Sequence, residues 1–366
     1  MIHFFHTHIS PRALELAAET LRSTFISEGK VVAQFESALG RQLGLSHPVA
    51  LNSGTSALHL ALAVAGVKAG DEVILPAQTF VATGQVILMQ AAKPVFADIQ
   101  PSTGNIDPAS VRAKITDRTK ALMPVHWGGY PCDLEELNQV AAEFKLAVIE
   151  DAAHALGATY KDKPVGSISR FTAFSFQAIK HLTTGDGGCL CCAGADDFED
   201  ARIRRWFGID RLKSRPSLLG ERVYDIDRIG YKYHMNDLAA ALGLGNLEDL
   251  PRQLARRREI AARYRGAFQT VPGLALLDNA ADRQSAYWLF TLLVERREDC
   301  IRALHDRGVP SSVVHQRIDR NSIFGGCRPD LPGQEYFDAH QLAVPLHGGL
   351  QDDDVEVIIQ AVRAGW

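Results

Sequence analysis

Cysteine is scarce in this chain: Cys132, Cys189, Cys191, Cys192, Cys300 and Cys327 are the only six in 366 residues. Three of them crowd into one apolar stretch, where they cannot form separate long-range disulfides, so a reducing cytoplasm is the expected compartment. No apolar run approaches the roughly 18 residues that a membrane span requires. The opening Met1-Ile-His-Phe-Phe-His-Thr-His has neither a basic n-region nor a sustained apolar h-region. Neither a membrane-spanning protein nor a classically exported one is expected. An excess of one charge is also missing. The 39 Lys and Arg against 43 Asp and Glu leave a net charge of −4, and no run of like charges offers a footprint for nucleic acid or an anionic membrane.

What is present is ordinary globular material, 46% hydrophobic and 22% charged, which excludes a disordered chain, a collagen and a coiled coil. At roughly 150 residues per domain, the length suggests two domains or one large domain with an appendage, with small molecules and other protein chains as partners. From Val49 to about Ala193, short apolar runs alternate with amphipathic stretches, the pattern of repeated β-α units closing into a largely parallel sheet. The seven expected strands are Pro48–Leu51, Glu72–Pro76, Lys93–Ala97, Ala121–Val125, Ala147–Glu150, Ala173–Phe176 and Gly188–Ala193, with helices such as Thr55–Ala65, Ala82–Gln90 and Leu134–Phe144 between them. After Asp225 the texture changes to a small-residue helix at Met235–Leu247 and an Arg-rich one at Asp249–Phe268. A boundary near Pro251 divides the chain into a large domain, 1–250, and a small C-terminal α+β domain, 251–366. In the latter, strand-like Ala286–Val294, a helix at Arg297–Arg307 and a closing helix after Asp352 frame Cys300–Val344, which reads as a loop over an active site.

Three stretches bear on chemistry. In Leu51-Asn52-Ser53-Gly54-Thr55-Ser56-Ala57-Leu58, a strand end, a glycine turn and a helix start bring backbone N–H groups and the hydroxyls of Ser53, Thr55 and Ser56 to a helix N-terminus. Such a place suits a phosphate, or is simply a capped helix. In Val148-Ile149-Glu150-Asp151-Ala152-Ala153-His154, an apolar strand ends in acids. Ligands of open α/β sheets lie beyond such ends, so Asp151 is either a ligand carboxylate or a turn acid, and His154 its polar partner or a helix residue. In Phe174–Gly188, Lys180 stands in a loop between apolar strands, among hydroxyls and glycines. Desolvation there would give the neutral amine of Schiff-base chemistry, while a surface-loop lysine is the alternative. An anion cradle, a strand-end carboxylate and a loop lysine together are what pyridoxal 5′-phosphate needs.

In order and spacing, Asn52–Leu58, Pro76–Thr83, Glu150–Ala155, Phe174–Gly188 and Gly230-Tyr-Lys-Tyr-His-Met-Asn236 resemble the DegT/DnrJ/EryC1/StrS family of sugar aminotransferases, over nearly the whole chain. The resemblance implies an α/β enzyme of pyridoxal-phosphate transferase fold type I. Its large domain would hold a mostly parallel seven-stranded sheet flanked by helices. It further implies a homodimer that moves an amino group, by a ping-pong route, from L-glutamate to a keto sugar, commonly nucleotide-linked. Lys180 would form the internal aldimine and shuttle the proton, and Asp151 would face the pyridinium nitrogen. Gly54, Thr55 and Ser175 would hold the phosphate, Phe80 would stack on the ring, and His154 would lie near the phenolic oxygen. Lys232 departs from the family's usual Asn, which reaches the phosphate in the neighbouring subunit; a lysine would still pair with phosphate as a point charge.

Other signals are weaker. His3, His6 and His8 fit an amino-terminal strand better than a metal site, lacking acidic or cysteine partners at ligand spacing. Cys189, Cys191 and Cys192 on one strand cannot all face one iron–sulfur cluster, since neighbours point to opposite faces. No metal is expected. The arginines from Arg252 to Arg265 read as a solvated helix face, and His315, His340 and His347 lie where substrate specificity would be built. The runner-up activity is a deoxysugar dehydratase of the same fold, in which histidine replaces the Schiff-base lysine; here the spacing puts Lys180, not His181, at that position. A non-catalytic protein of the same fold would be expected to lose Asp151 or Lys180, and both are kept.

Overall fold

The computed structural model describes residues 1–366. Its centre is a seven-stranded sheet formed by β1 (Pro48–Leu51), β2 (Glu72–Pro76), β3 (Lys93–Ala97), β4 (Thr119–Leu122), β5 (Ala147–Asp151), β6 (Phe171–Ser175) and β7 (Gly188–Cys192), in the order β1-β7-β6-β5-β4-β2-β3. Six strands run parallel to one another, and β7 alone is antiparallel to both neighbours. The sheet is therefore mostly parallel, as expected, and nearly every strand reads as a continuous apolar run because both of its faces are covered. On one face a core joins Leu51, Leu75, Ile149, Phe171 and Cys192; on the other, Phe35, Phe174, Phe176, Cys189 and Cys191 pack together. Cys189 and Cys191 of β7 thus fill one core and the adjacent Cys192 the opposite one.

Helices α1 (Pro11–Ser23), α2 (Lys30–Leu43), α3 (Gly54–Val64), α4 (Val81–Met89), α5 (Pro108–Lys114), α6 (Leu134–Phe144) and α7 (Ala195–Arg204) surround or connect the strands. Next comes α8 (Asp237–Phe268), a single helix of 32 residues with Pro251 inside it, where two separate helices were expected. A proline removes one helical hydrogen bond and costs about 3 kcal/mol in a helix interior. The helix persists because tertiary packing holds both sides of the break: Leu247, Leu250 and Leu254 are buried in the core that covers the sheet, and Ile260, Tyr264 and Phe268 in another. Towards the start of α8, a Cβ on Gly245 would lie 2.2 Å from the backbone nitrogen of Ala13, so glycine is what lets α1 lie directly on α8.

The C-terminal part has its own antiparallel sheet of β8 (Leu274–Leu276), β9 (Phe290–Val294) and β10 (Gln341–Val344), in that order, with α9 (Arg297–Asp306), α10 (Pro332–His340) and α11 (Asp352–Arg363). Cys300–Val344 is accordingly not one loop. Cys300, Leu304 and Phe337 are buried helix positions, and only the irregular connection between α9 and α10 carries the expected loop character. Residues 1–9 form no strand. They have no sheet edge to pair with and are tied down by side chains instead: His8 Nε2 lies 2.8 Å from Asp249 Oδ2, and His347 Nε2 lies 3.0 Å from the His3 carbonyl oxygen. The arginines of α8 are not a uniformly solvated face either. Arg257 is buried and donates to the carbonyl oxygens of Tyr287 and Leu346 at 3.2 and 2.8 Å, while Arg258 donates to those of Ser285 and Gly157.

Candidate active site

A cavity of about 350 Å³ opens beyond the C-terminal ends of β1, β2, β5 and β6, where ligands of parallel sheets bind. It brings together Gly54, Thr55, Phe80, Asp151, His154, Ser175 and Lys180. At the end of β1 the chain turns into α3, and the Ser53 hydroxyl caps the helix by accepting the Ser56 N–H at 3.0 Å. The expected capping is realised there. Ser53 is consumed by the cap, and the N-terminus of α3 at Gly54 and Thr55 faces the cavity. Ser56 does not join them, because it is buried and its hydroxyl donates to Asn52 Oδ1 at 2.6 Å. The turn can sit so deep because β7 passes beneath it: a Cβ on Gly188 would lie 2.4 Å from the Ser53 carbonyl carbon, a closeness only glycine tolerates.

Asp151 is the last residue of β5 and is buried. Its Oδ2 accepts the Thr83 hydroxyl at 2.7 Å and its Oδ1 the Ala153 N–H at 3.1 Å. Since Thr83 spends its proton on Asp151, Thr79, 2.7 Å away, donates to Thr83 in turn. Burial pushes the carboxyl above its usual range, while these two donors and the charge of Lys180 pull the other way. A carboxylate held by donors on one side and facing a cavity on the other suits a protonated ring nitrogen.

Lys180 lies half-buried in the loop between β6 and β7, with its Nζ 3.6 Å from the centroid of the Trp288 ring. Desolvation lowers its pKa to about 7, against the opposing charge of Asp151, so an appreciable share of the amine is neutral and nucleophilic near neutral pH. The neighbouring His181 turns the other way: it is buried, with Nε2 2.9 Å from the Ala286 carbonyl oxygen. Lysine, not histidine, reaches the cavity. His154 stacks on Trp288 at 3.8 Å with an 18° interplanar angle. Burial, helped by the charge of Lys180, holds its pKa well below the usual value, so the imidazole is neutral; its buried Nδ1 has no partner. An unpartnered polar atom beside an anion cradle, a carboxylate and an amine fits a polar cofactor, and these are the groups pyridoxal phosphate requires.

Lys232 lies outside this cavity. It is exposed, its backbone bridges to Trp206, and its Nζ stands 5.9 Å over the Trp206 ring. Of the three histidines in the C-terminal part, His315 lines the cavity, whereas His340 is bonded to the Tyr336 carbonyl oxygen of α10 and His347 to that of His3. Sequence reasoning missed Thr83 as the partner of Asp151, although Thr83 lies in a stretch already singled out. It also missed Trp288, which carried no motif and was read only as part of the strand-like Ala286–Val294, whereas the strand begins at Phe290.

Fold and cavity define a pyridoxal-phosphate-dependent transferase. The model of the DegT/DnrJ/EryC1/StrS aminotransferase family matches residues 8–363, and the chain belongs to this family. It is 40% identical to the spore coat polysaccharide biosynthesis protein SpsC of Bacillus subtilis (strain 168), over 97% of this chain and 94% of that one. It is also 34% identical to GDP-perosamine synthase of Caulobacter vibrioides, over 94% of this chain and 92% of that one. Among solved structures, the sugar aminotransferase CalS13 from Micromonospora echinospora superposes with a TM-score of 0.95 at 35% identity, covering 100% of both chains. The PLP form of Spr1654 from Streptococcus pneumoniae superposes with a TM-score of 0.91 at 32% identity, covering 99% of this chain and 98% of that one. The protein is a pyridoxal-phosphate-dependent sugar aminotransferase.

Proposed function

We propose that the chain moves an amino group from L-glutamate to a nucleotide-linked keto sugar, with Lys180, Asp151 and His154 as its catalytic residues. The observation that carries the site assignment is the Lys180 amine standing in the cavity that Asp151 also faces. The name of the GDP-perosamine synthase relative supports the nucleotide linkage. When bound, pyridoxal phosphate supplies the carbonyl carbon that takes and returns the amino group, and a ring that accepts electrons from the substrate carbon. Gly54, Thr55 and Ser175 bind its phosphate at the start of α3, where backbone N–H groups and the helix dipole favour an anion. Phe80, half exposed at the mouth, covers the ring and excludes water. Asp151 holds a proton on the ring nitrogen. Lys180 would remove and return the proton at the substrate carbon, a task for which a pKa near operating pH is suited. Neutral His154 orients the ring's polar edge through its free Nδ1.

The same reading makes the active unit a cytoplasmic homodimer and divides each chain into residues 1–250 and 251–366. A distinct apolar core of residues from Ile260 to Val362 supports the division. For the dimer, the support is the segment between Phe207 and Ile229, where Leu212, Leu218, Leu219 and Ile229 are each at least 74% exposed, an apolar display that marks an interaction surface. Lys232 follows this segment and does not line its own chain's cavity, so it would reach phosphate only in a partner. The test is borohydride reduction of the cofactor-loaded protein with peptide mapping, followed by a screen of keto sugars with glutamate. The adduct is expected on Lys180 and 2-oxoglutarate is expected to accumulate. Sugar consumption without 2-oxoglutarate would instead indicate dehydration, and an adduct on another lysine would remove the site assignment.

A further inference from the structure

Trp288 belongs to none of the stretches that resemble the family, yet it touches the cavity's chemistry three times. Its ring lies under Lys180 Nζ, 3.6 Å from the centroid. It stacks on His154 at 3.8 Å. Its indole N–H donates to the carbonyl oxygen of Ile179, the residue before Lys180, at 3.0 Å. The residue is itself firmly held: it is 1% exposed, and Phe5 stacks on it at 5.4 Å. Just before it, Tyr287 adopts a left-handed φ of 49°, with its carbonyl oxygen accepting Arg257 Nη1 at 3.2 Å. A strained non-glycine backbone persists only where its surroundings over-determine it.

We propose that Trp288 is a positioning residue for amino transfer: its ring face holds the free Lys180 amine over the cavity, and its N–H fixes the backbone from which that lysine springs. The proposal rests on the reading of Lys180 as the proton-moving lysine. A lysine side chain has four rotatable bonds, and between proton transfers it must remain within reach of the substrate carbon. The negative face of an indole attracts an ammonium without neutralising it or binding it irreversibly, and desolvation strengthens that attraction. A carboxylate at the same place would lock the proton on. The other titratable groups around Lys180 are Asp151 and His154 at the end of β5, His181 and Asp186 in its own loop, and His315 from the C-terminal part. Of these, Asp151 favours the ammonium, and protonated histidines would oppose it.

The test uses apoprotein. Lys180 is modified with formaldehyde and cyanoborohydride across a pH range, and its peptide is quantified to give the midpoint at which the amine becomes reactive. Tryptophan analogues of rising fluorine content weaken the ring's negative face with little change of size. In the native chain the midpoint should fall progressively, by up to roughly one unit; in Trp288→Phe, which keeps the other three tryptophans, fluorine should leave it unmoved. Trp288→Tyr gives the same control if the phenylalanine variant is unstable. Loss of the indole N–H should also slow capture of pyridoxal phosphate by the apoprotein about fivefold. A midpoint indifferent to fluorine, an equal fluorine shift without Trp288, or undiminished capture would overturn the proposal. A borohydride adduct on a different lysine would remove the Lys180 reading itself, whereas an adduct on Lys180 with a fluorine-insensitive midpoint would remove only the role of Trp288.

Discussion

The wall of the cavity made by Gly54, Asp151 and Ser175 and the wall made by Trp288 and His315 are held in different ways. Asp151 and Ser175 end strands of the parallel sheet, and Gly54 starts the helix that follows another strand, so backbone ladders fix where they stand. The opposite wall rides on irregular chain. Gln78 and Gln341, both buried, donate to the His315 carbonyl oxygen at 3.0 and 3.2 Å, and Arg257 holds the backbone at Tyr287. One wall is therefore set by secondary structure, the other by side chains reaching backbone from elements far away in the chain. The first should tolerate little change in its chemistry, and the second should fail one staple at a time.

The largest effect should come from Lys180, which stands in the loop after β6 and belongs to neither wall. Lys180→Ala removes both the Schiff-base amine and the proton carrier, and half-transamination with glutamate should fall by roughly ten-thousand-fold or more. Followed spectrophotometrically, residual activity within a hundredfold of the parent would show that another group moves the proton. Asp151→Asn keeps the shape and removes the charge, so cofactor should remain bound while the same half-reaction loses at least about a hundredfold, roughly 2.7 kcal/mol of barrier. Kinetics close to the parent would mean that a different residue protonates the ring.

Asp151 and the turn at Gly54 were legible in the sequence because one terminates an apolar run and the other opens a helical period, and Lys180 because it stands alone in a loop between two apolar strands; sheet topology then places them together. Three strands, Pro48–Leu51, Glu72–Pro76 and Lys93–Ala97, have the bounds their apolar runs imply. Where tertiary contacts outweigh local preference, the sequence misleads. Pro251 reads as a break and lies within a helix, Arg257 reads as solvated and is buried, and residues 1–9 read as a strand without a partner strand being available. Trp288 was illegible for the same reason: its position depends on a strained turn and a distant arginine, neither of which leaves a periodic trace.

Between the two walls stands the predicted contribution of a second chain. Lys232→Ala should weaken cofactor retention about tenfold, the scale of one charge-assisted contact to phosphate, measured by dialysis of the loaded protein. A mixed dimer of Lys232→Ala and Lys180→Ala chains should regain part of the activity, since one of its two sites combines an intact Lys180 with an intact Lys232 from the other chain. Absence of complementation, with Lys232→Ala alone impaired, would confine the lysine to its own subunit. Smaller still is the effect of one staple. Gln78→Leu removes a donor to the His315 carbonyl oxygen and should raise the KM for the keto sugar several-fold, with cofactor capture unchanged; the lost hydrogen bonds correspond to about 1 kcal/mol each. Equal damage to capture would show that the walls are not independent.

A last effect, read on stability and not on activity, separates Lys180 from the second wall by pH. Burial lowers Lys180 to about 7 from an ordinary value of 10.5, and lowers His315 to about 4 from 6.5. In each case the unfolded chain binds a proton that the folded apoprotein does not, between the two values, and stability rises with pH wherever that holds. Lys180 therefore destabilises the fold fully below about 7, and the penalty fades as pH rises toward 10.5; His315 does so below about 4, with relief complete above 6.5. Urea unfolding of apoprotein should show Lys180→Met more stable than the parent at about pH 6.5, with the gap narrowing by about pH 9.5. His315→Gln should instead flatten the rise in stability between about pH 4 and 6.5 and leave the alkaline limb alone. Parallel curves for Lys180→Met and the parent across the alkaline range would mean that the Lys180 amine is solvated in the apoprotein, and the cavity would lose the desolvation that makes its lysine a base near neutral pH.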